Sequence, residues 1–190
     1  MIVVEGPPGS GSHNLTKKLV RDLGVPLGGP VSSHSRETLY MVLGWVVTGD
    51  QPVRVREGFF FKEVLEASLR GRRPQFTEGE VIYVRKILTA LECPVIVCLP
   101  PWERVLDGLT VTQAKEIPEA QLEGLYLVYT NLILNSPGPT LTSEHVESQP
   151  TDPSKILWYD HTGEQDWTIP YTYILERCRD YITKRAERTW

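Results

Sequence analysis

The chain opens on an unbroken apolar run, Met1 to Val4, that stops at Glu5 and Gly6, which predicts a buried strand over Ile2–Glu5. Leu15, Leu19 and Val20 then recur at helical spacing, predicting a helix over Asn14–Leu23 that Gly24 ends. In "SRETLYMVLGWVVTG", Leu39, Val42, Leu43, Val46 and Val47 trace a second helical face behind Ser35 as a candidate N-cap. "PVRVRE" reads as a short strand, and "FFFKEVLEASLRG" and "TEGEVIYVRKILTALE" as helices, the latter opened by a capping box of Thr77 and Glu80. Five consecutive apolar residues, Val95 to Leu99 between Pro94 and Pro100, predict a strand covered on both faces. "KILWYD" is the last strand candidate and "YTYILERCRDYITKRAE" the closing helix. Between Asn135 and Ser154 the periodicity gives way to Ser, Thr and Pro, so 135–154 is expected to be an exposed loop insertion. Strands alternating with helices imply an α/β fold with a parallel sheet between helical layers.

Composition narrows this picture without redirecting it. With 190 residues, 41% hydrophobic and 23% charged, the chain is expected to form a single domain spanning 1–190. No apolar stretch reaches the roughly 18 residues of a membrane span, and no basic region precedes the first strand, so a cytoplasmic protein without a signal peptide is expected. Cys93, Cys98 and Cys178 are odd in number and lack C-x-x-C spacing, which suits core packing in a reducing compartment better than a disulfide framework or a zinc site. A net charge of -4 confines any attraction for DNA to a local patch.

Chemistry enters where the first strand ends. Gly6, Pro8, Gly9, Ser10, Gly11, Ser12, His13 and Asn14 lie between a strand and a helix, the setting in which glycines let backbone N–H groups and a helix N-terminus close around a phosphate. The P-loop pattern G-x-x-x-x-G-K-[ST] is followed as far as Gly11, and then Ser12 and His13 stand where Lys and Ser or Thr are expected.

"VVEGPPGSG", "LTKKL", "LGGPVSS", "LRGR", "PVIVCLPPWE" and "LWYDHTGE" follow one another in the order found in thymidylate kinase-like P-loop kinases, and the chain most resembles the phage-encoded deoxynucleotide kinases among them. The resemblance covers most of the chain apart from 135–154. It implies a three-layer P-loop NTPase fold with a parallel sheet of about five strands. It further implies phosphoryl transfer from ATP, with Mg²⁺, to a deoxynucleoside monophosphate or to a hydroxymethylated pyrimidine in DNA, and a homodimer in the cytoplasm of an infected host.

Three departures bear on that activity. Ser12 removes the lysine ammonium that would bridge the β- and γ-phosphates, and His13 puts imidazole in place of an oxygen ligand that Mg²⁺ prefers. The family's Asp-Arg pair is represented by Arg56 behind Val55, with Glu57 at the next position as a substitute carboxylate. Arg70 and Arg73, with Arg72, match the acceptor-side arginines and form the densest basic cluster, the candidate contact for DNA. Lys17 and Lys18 read as solvated helix charges. His13 suits either a phosphate contact or a proton acceptor, or simply a polar helix start; His161 is a candidate pocket residue, and His34 and His145 read as loop residues. Phe59 and Phe60, with Phe61, can stack a base or pack in the core, and Trp102 with Glu103 can rim the pocket or start a helix. Two readings follow: an active kinase with an altered phosphate loop, its catalytic set Arg56, Glu57, Arg70 and Arg73; or a pseudokinase that binds a nucleotide or a partner. A third reading keeps the phosphate pocket and turns it to DNA, as a component of DNA modification.

Overall fold

The computed structural model describes residues 1–28, 36–49, 51–58, 67, 77–135, 156–166 and 168–187. Along these the elements run β1 (Ile2–Glu5), α1 (Ser12–Leu23), α2 (Arg36–Thr48), β2 (Val55–Glu57), α3 (Glu78–Ala90), β3 (Val95–Cys98), α4 (Trp102–Asp107), α5 (Val111–Glu116), α6 (Glu119–Asn135), β4 (Leu157–Tyr159) and α7 (Tyr171–Glu187). The sheet is parallel throughout, in the order β2-β1-β3-β4, with Val3 opposite both Arg56 and Val95, and Val97 opposite Trp158. β1 is central and buried along its whole length, which is what an uninterrupted apolar run requires of a strand covered on both faces.

Alternation along the strands sorts the two helical layers. Ile2, Val4, Ile96 and Cys98 share one face with Leu15 and Leu19 of α1 and Ile174 and Cys178 of α7. On the other face, Val97 and Trp158 pack with Leu99 and with Leu125 and Tyr129 of α6. α1 begins at Ser12, two residues before the expected start, and ends as expected at Gly24, whose left-handed conformation (φ 66°) lets its N–H bond Val20 O. The Thr77–Glu80 capping box forms in full.

Two expectations are revised. The sheet has four strands among the described residues instead of about five, and Leu27 adds one isolated parallel bridge to Val55 beside β2. Pro26 stops this pairing on its N-terminal side: its carbonyl accepts from Val55 N (3.2 Å) and Gly28 N donates to Val55 O (2.7 Å), but Pro26 has no N–H with which to carry the ladder back toward Val25. The stretch from Trp102 to Asn135, for which the sequence reading offers only a possible helix start at Trp102, holds three helices, α4, α5 and α6. The helix expected over "FFFKEVLEASLRG" lies outside the described residues except for Ala67, which is helical and buried, and the insertion at 135–154 lies outside them beyond Asn135. No helix among the described residues is long and apolar enough to cross a membrane.

Candidate functional site

The carboxyl ends of β1, β2, β3 and β4 converge, and each sends a loop or side chain toward the glycine loop, as expected for a parallel sheet with crossover helices. The loop is held from below and from the side. A Cβ at Gly6 would strike Ser10 Oγ and stand 2.7 Å from Cys98 O, so only glycine fits between β1 and β3 there. Gly9 (φ 83°) lies against the carbonyl of Val105 in α4, and its own carbonyl lies against Gly108. Two backbones meet without side chains between them, and α4 is thereby clamped to the loop.

Gly11 (φ 82°) caps α1 without any side-chain hydrogen bond, and the first helical bond runs from Leu15 N to Gly11 O (3.0 Å). The amides of Ser12, His13 and Asn14 therefore have no acceptor within the helix, and they sit at the positive end of its dipole. Ser10 is buried, and its Oγ finds no hydrogen-bond partner among the described residues. Pro8 is half-buried in the loop, and Asn14 is exposed one residue beyond His13.

Glu57, the last residue of β2, joins this loop. Ser12 Oγ donates to Glu57 Oε1 at 3.2 Å, and His13 Nδ1 lies 2.8 Å from Glu57 Oε2. One carboxylate thus spans both positions where a P-loop would carry its cation and its metal-binding hydroxyl. Strand parity decides this: Glu57 is opposite Val4, on the α1 face, whereas Arg56 is opposite Val3, on the other. Arg56 is 7% exposed, its side chain lies against Gly28, and it lines a cleft with Trp45, Arg54 and Arg185. The structure therefore brings Glu57 to the glycine loop and takes Arg56 away from it.

The loop after β4 completes the rim. Asp160, buried, accepts from Thr162 N (2.8 Å), Thr162 Oγ1 (2.7 Å), Glu164 N (3.0 Å) and Gln165 N (3.2 Å), an Asx-type turn that fixes residues 160–165. This turn lays the exposed His161 ring over Gly11, with Nδ1 3.1 Å from where a Cβ would be. Glu164 of the same turn accepts from Arg104 Nε (3.0 Å) and Nη2 (2.6 Å), tying it to α4, and Glu164 raises the Arg104 pKa. Arg104, Asp160 and Glu164 do not figure among the candidates read from the sequence. For Asp160 a signal exists in the Asp-x-Thr-Gly turn chemistry of "DHTG"; for Arg104 and Glu164 pairing across 60 residues leaves none.

The remaining candidates are scattered. Trp102 packs against Tyr126 of α6 with ring centroids 5.4 Å apart, and Tyr126 Oη donates to Pro100 O (3.0 Å). Lys18 places its ammonium 3.7 Å from the Tyr171 ring centroid, and Lys17 is exposed, both as surface charges of α1. Phe59, Phe60, Phe61, Arg70, Arg72, Arg73, His34 and His145 lie outside the described residues. Among the described residues, no three His, Cys, Asp or Glu side chains cluster as a metal cage.

No protein-family model matches the sequence, and no curated protein matches it. Solved structures do. The YorR protein from Bacillus subtilis, in complex with phosphorylated GDP, superposes with a TM-score of 0.61 over 99% of both chains at 12% identity. Deoxyadenosine kinase from M. mycoides with bound dATP, also 12% identical, covers 96% of this chain and all of its own at a TM-score of 0.45, too low to bear on the fold. The likeness to YorR is one of architecture: this chain shares its α/β fold, here a parallel sheet flanked by helices with the glycine loop after the interior strand β1.

Proposed function

We propose that this chain is a nucleotide-binding P-loop kinase-like protein that transfers the γ-phosphoryl group of ATP to a deoxynucleoside monophosphate or to a hydroxymethylated pyrimidine. What supports the reading is the Glu57 carboxylate at the mouth of the glycine loop, within hydrogen-bond reach of Ser12 and His13. In this reading the loop's capabilities are redistributed. The amides of Ser12 to Asn14 and the helix dipole receive the donor phosphates. The hydroxyl that a P-loop places after its lysine is carried one position earlier, on Ser12.

A bare carboxylate beside phosphates is repulsive, so Glu57 calls for a cation. Glu57 and Ser12 offer hard oxygens side by side, a donor set that fits Mg²⁺, which takes one or two carboxylates and completes its shell with phosphate and water. When bound, Mg²⁺ supplies charge neutralisation of the phosphates. In the transfer itself an acceptor oxygen forms its bond to the γ-phosphorus as the bond to the bridging oxygen breaks, and ADP leaves; a hydroxymethyl acceptor gives up its proton to solvent in the same step. Loop amides stabilise the charge on the transferring group, while Arg70 and Arg73 hold the acceptor phosphate. The same arginines with Arg72 are the proposed DNA contact, and a homodimer in the cytoplasm of an infected host belongs to this reading. Without the lysine, transfer is expected to be slower by about 10²- to 10³-fold than in a P-loop kinase that has it.

The close His13–Glu57 pair (2.8 Å) favours a second reading, a pseudokinase whose carboxylate is satisfied within the chain. Incubation with γ-labelled ATP, Mg²⁺, a panel of deoxynucleoside monophosphates and hydroxymethylated DNA separates the two. Label transfer that falls on the order of 10²-fold in Glu57→Gln, with circular dichroism unchanged, supports the kinase. ATP binding with no acceptor labelled identifies the pseudokinase. Failure to bind any nucleotide overturns the kinase and the nucleotide-binding form of the pseudokinase alike.

A further inference from the structure

His13 is the residue of the glycine loop that the proposed transfer leaves without a task. It stands where a P-loop carries the hydroxyl that binds Mg²⁺, and β2 brings a carboxylate to it, with His13 Nδ1 2.8 Å from Glu57 Oε2. On the other side of the same carboxylate, Ser12 Oγ reaches Oε1 at 3.2 Å. An imidazole nitrogen, a carboxylate and a hydroxyl thus meet at the first turn of α1. The backbone fixes all three. Ser12 and His13 are the first two residues of α1 behind Gly11 (φ 82°), Glu57 is opposite Val4, and Gly58 N pins the end of β2 to Val4 O (2.8 Å).

A carboxylate beside a helix N-terminus ordinarily draws on main-chain amides. Here both oxygens of Glu57 turn to side chains, which leaves the loop amides to an anion. Ser10 Oγ, buried in the same loop and without a partner among the described residues, is a further polar group that a bound ligand would satisfy. The spacing of the side-chain donors suits a cation. Ligands at right angles on an ion with bonds of about 2.1 Å stand about 3.0 Å apart, and the separations of 2.8 and 3.2 Å lie on either side of that value. The His13 side chain is 62% exposed and that of Glu57 28%, so an ion arriving from solvent reaches both. Because an ionised carboxylate only accepts, the hydrogen between the two is carried on Nδ1. A cation takes its place, the ring then carrying its hydrogen on Nε2 and offering the Nδ1 lone pair.

A nitrogen among the ligands changes which ion is preferred. Mg²⁺ keeps to oxygen, whereas imidazole suits the first-row transition ions, whose affinity for mixed nitrogen and oxygen sites rises from Mn²⁺ through Co²⁺. We propose that His13, Glu57 and Ser12 form a divalent-cation site that selects a transition ion such as Mn²⁺, Co²⁺ or Zn²⁺ over Mg²⁺, with His13 Nδ1 as the ligand that sets the choice. The remaining positions around the ion fall to water and to the phosphates of a nucleotide. The inference rests on the nucleotide-binding reading for those phosphates alone, since the three protein ligands belong to the chain.

Titration of the full chain with Mn²⁺ alone, followed by electron paramagnetic resonance, tests this without nucleotide or turnover, and competition against bound Mn²⁺ gives the affinity for Mg²⁺. The wild type is expected to bind Mn²⁺ at least about tenfold more tightly than Mg²⁺. Pulsed spectra of the bound ion are expected to show the ¹⁴N modulation of a coordinated imidazole. His13→Thr, which restores an all-oxygen set, is expected to abolish that modulation and to weaken Mn²⁺ at least about tenfold while leaving Mg²⁺ no weaker. Glu57→Gln is expected to weaken both ions. Should His13→Thr fail to fold, His13→Asn carries the same test. The proposal is overturned if the wild type binds no Mn²⁺ at millimolar concentration, if the ¹⁴N modulation is absent or survives in His13→Thr, or if His13→Thr leaves the preference for Mn²⁺ unchanged. Failure of the kinase reading shows itself differently, as no acceptor labelled or no nucleotide bound, with the Mn²⁺ titration unaffected.

Discussion

Three glycines with nearly the same backbone conformation sit in three different surroundings, and substituting each with alanine separates conformational strain from steric contact. Gly24 (φ 66°), Gly11 (φ 82°) and Gly9 (φ 83°) are all left-handed. A Cβ on Gly24 meets nothing within 4 Å, so Gly24→Ala reports the left-handed penalty alone, about 1–2 kcal/mol, reduced by about 0.4–1 kcal/mol because alanine also restricts the unfolded chain. The net loss is about 1 kcal/mol, or roughly 2–4 °C in Tm for a chain of this size. At Gly11 the Cβ stands 3.1 Å from the exposed His161 ring, which can turn aside, so Gly11→Ala adds little to that loss.

At Gly9 the obstacle is the Val105 carbonyl, with Leu109 Cδ2 3.3 Å away, and a backbone carbonyl inside a helix cannot yield unless α4 moves with it. Overpacking of this kind adds about 1–3 kcal/mol, bringing Gly9→Ala to about 2–4 kcal/mol. Urea unfolding followed by tryptophan fluorescence, with equal m-values as the check on comparability, gives the three losses directly. The order expected is Gly24, Gly11, Gly9 from least to most. A Gly9→Ala loss within about 0.5 kcal/mol of that of Gly24→Ala would show that α4 does not press on the loop, and the account of how the mouth is held would fail.

Two further predictions concern groups that the fold buries. Asp160→Ala removes the acceptor of three backbone N–H groups and is expected to cost about 2–3 kcal/mol and to speed amide exchange at residues 162–165, whereas unchanged exchange there would refute its role as organiser of the turn. Burial pushes the Cys178 thiol from 9.0 up to about 12, so the folded protein keeps a proton that the unfolded chain releases above pH 9, and this contribution to stability falls as pH rises from 9 toward 12. Between pH 8 and 10 the wild type is expected to lose about 1 kcal/mol more than Cys178→Ala, and parallel pH profiles would show that the thiol is not sequestered.

The parts of the fold legible in the sequence are those in which local pattern and tertiary demand coincide. β1 and β3 are apolar without interruption because both faces are covered, and the capping box at Thr77 is a purely local device. The capping box at Thr110 with Gln113 is equally local and marks the start of α5, yet the six residues behind it carry no apolar face and bury none of their side chains, so periodicity gives no sign of a helix there. α6 fails to declare itself for the opposite reason, since apolar residues are spread around most of its circumference. At the site, the glycine loop is readable because it lies in one continuous stretch. The link from Glu57 to Ser12 and His13 spans some 45 residues and depends on strand register, so the sequence can nominate Glu57 but cannot aim it. The clamp of α4 on Gly9 depends on two backbones meeting, which leaves no mark in the sequence beyond the presence of Gly108.

The three-residue strand β2 carries a consequence for how this protein can change. Val55, Arg56 and Glu57 put opposite charges on opposite faces, so inserting one residue ahead of the strand would present an arginine to the glycine loop in place of a glutamate. The register that prevents this rests on few bonds, among them Gly28 N to Val55 O and Gly58 N to Val4 O. A lineage of such proteins could therefore invert the sign of its phosphate mouth in a single step, without altering a residue of the loop itself.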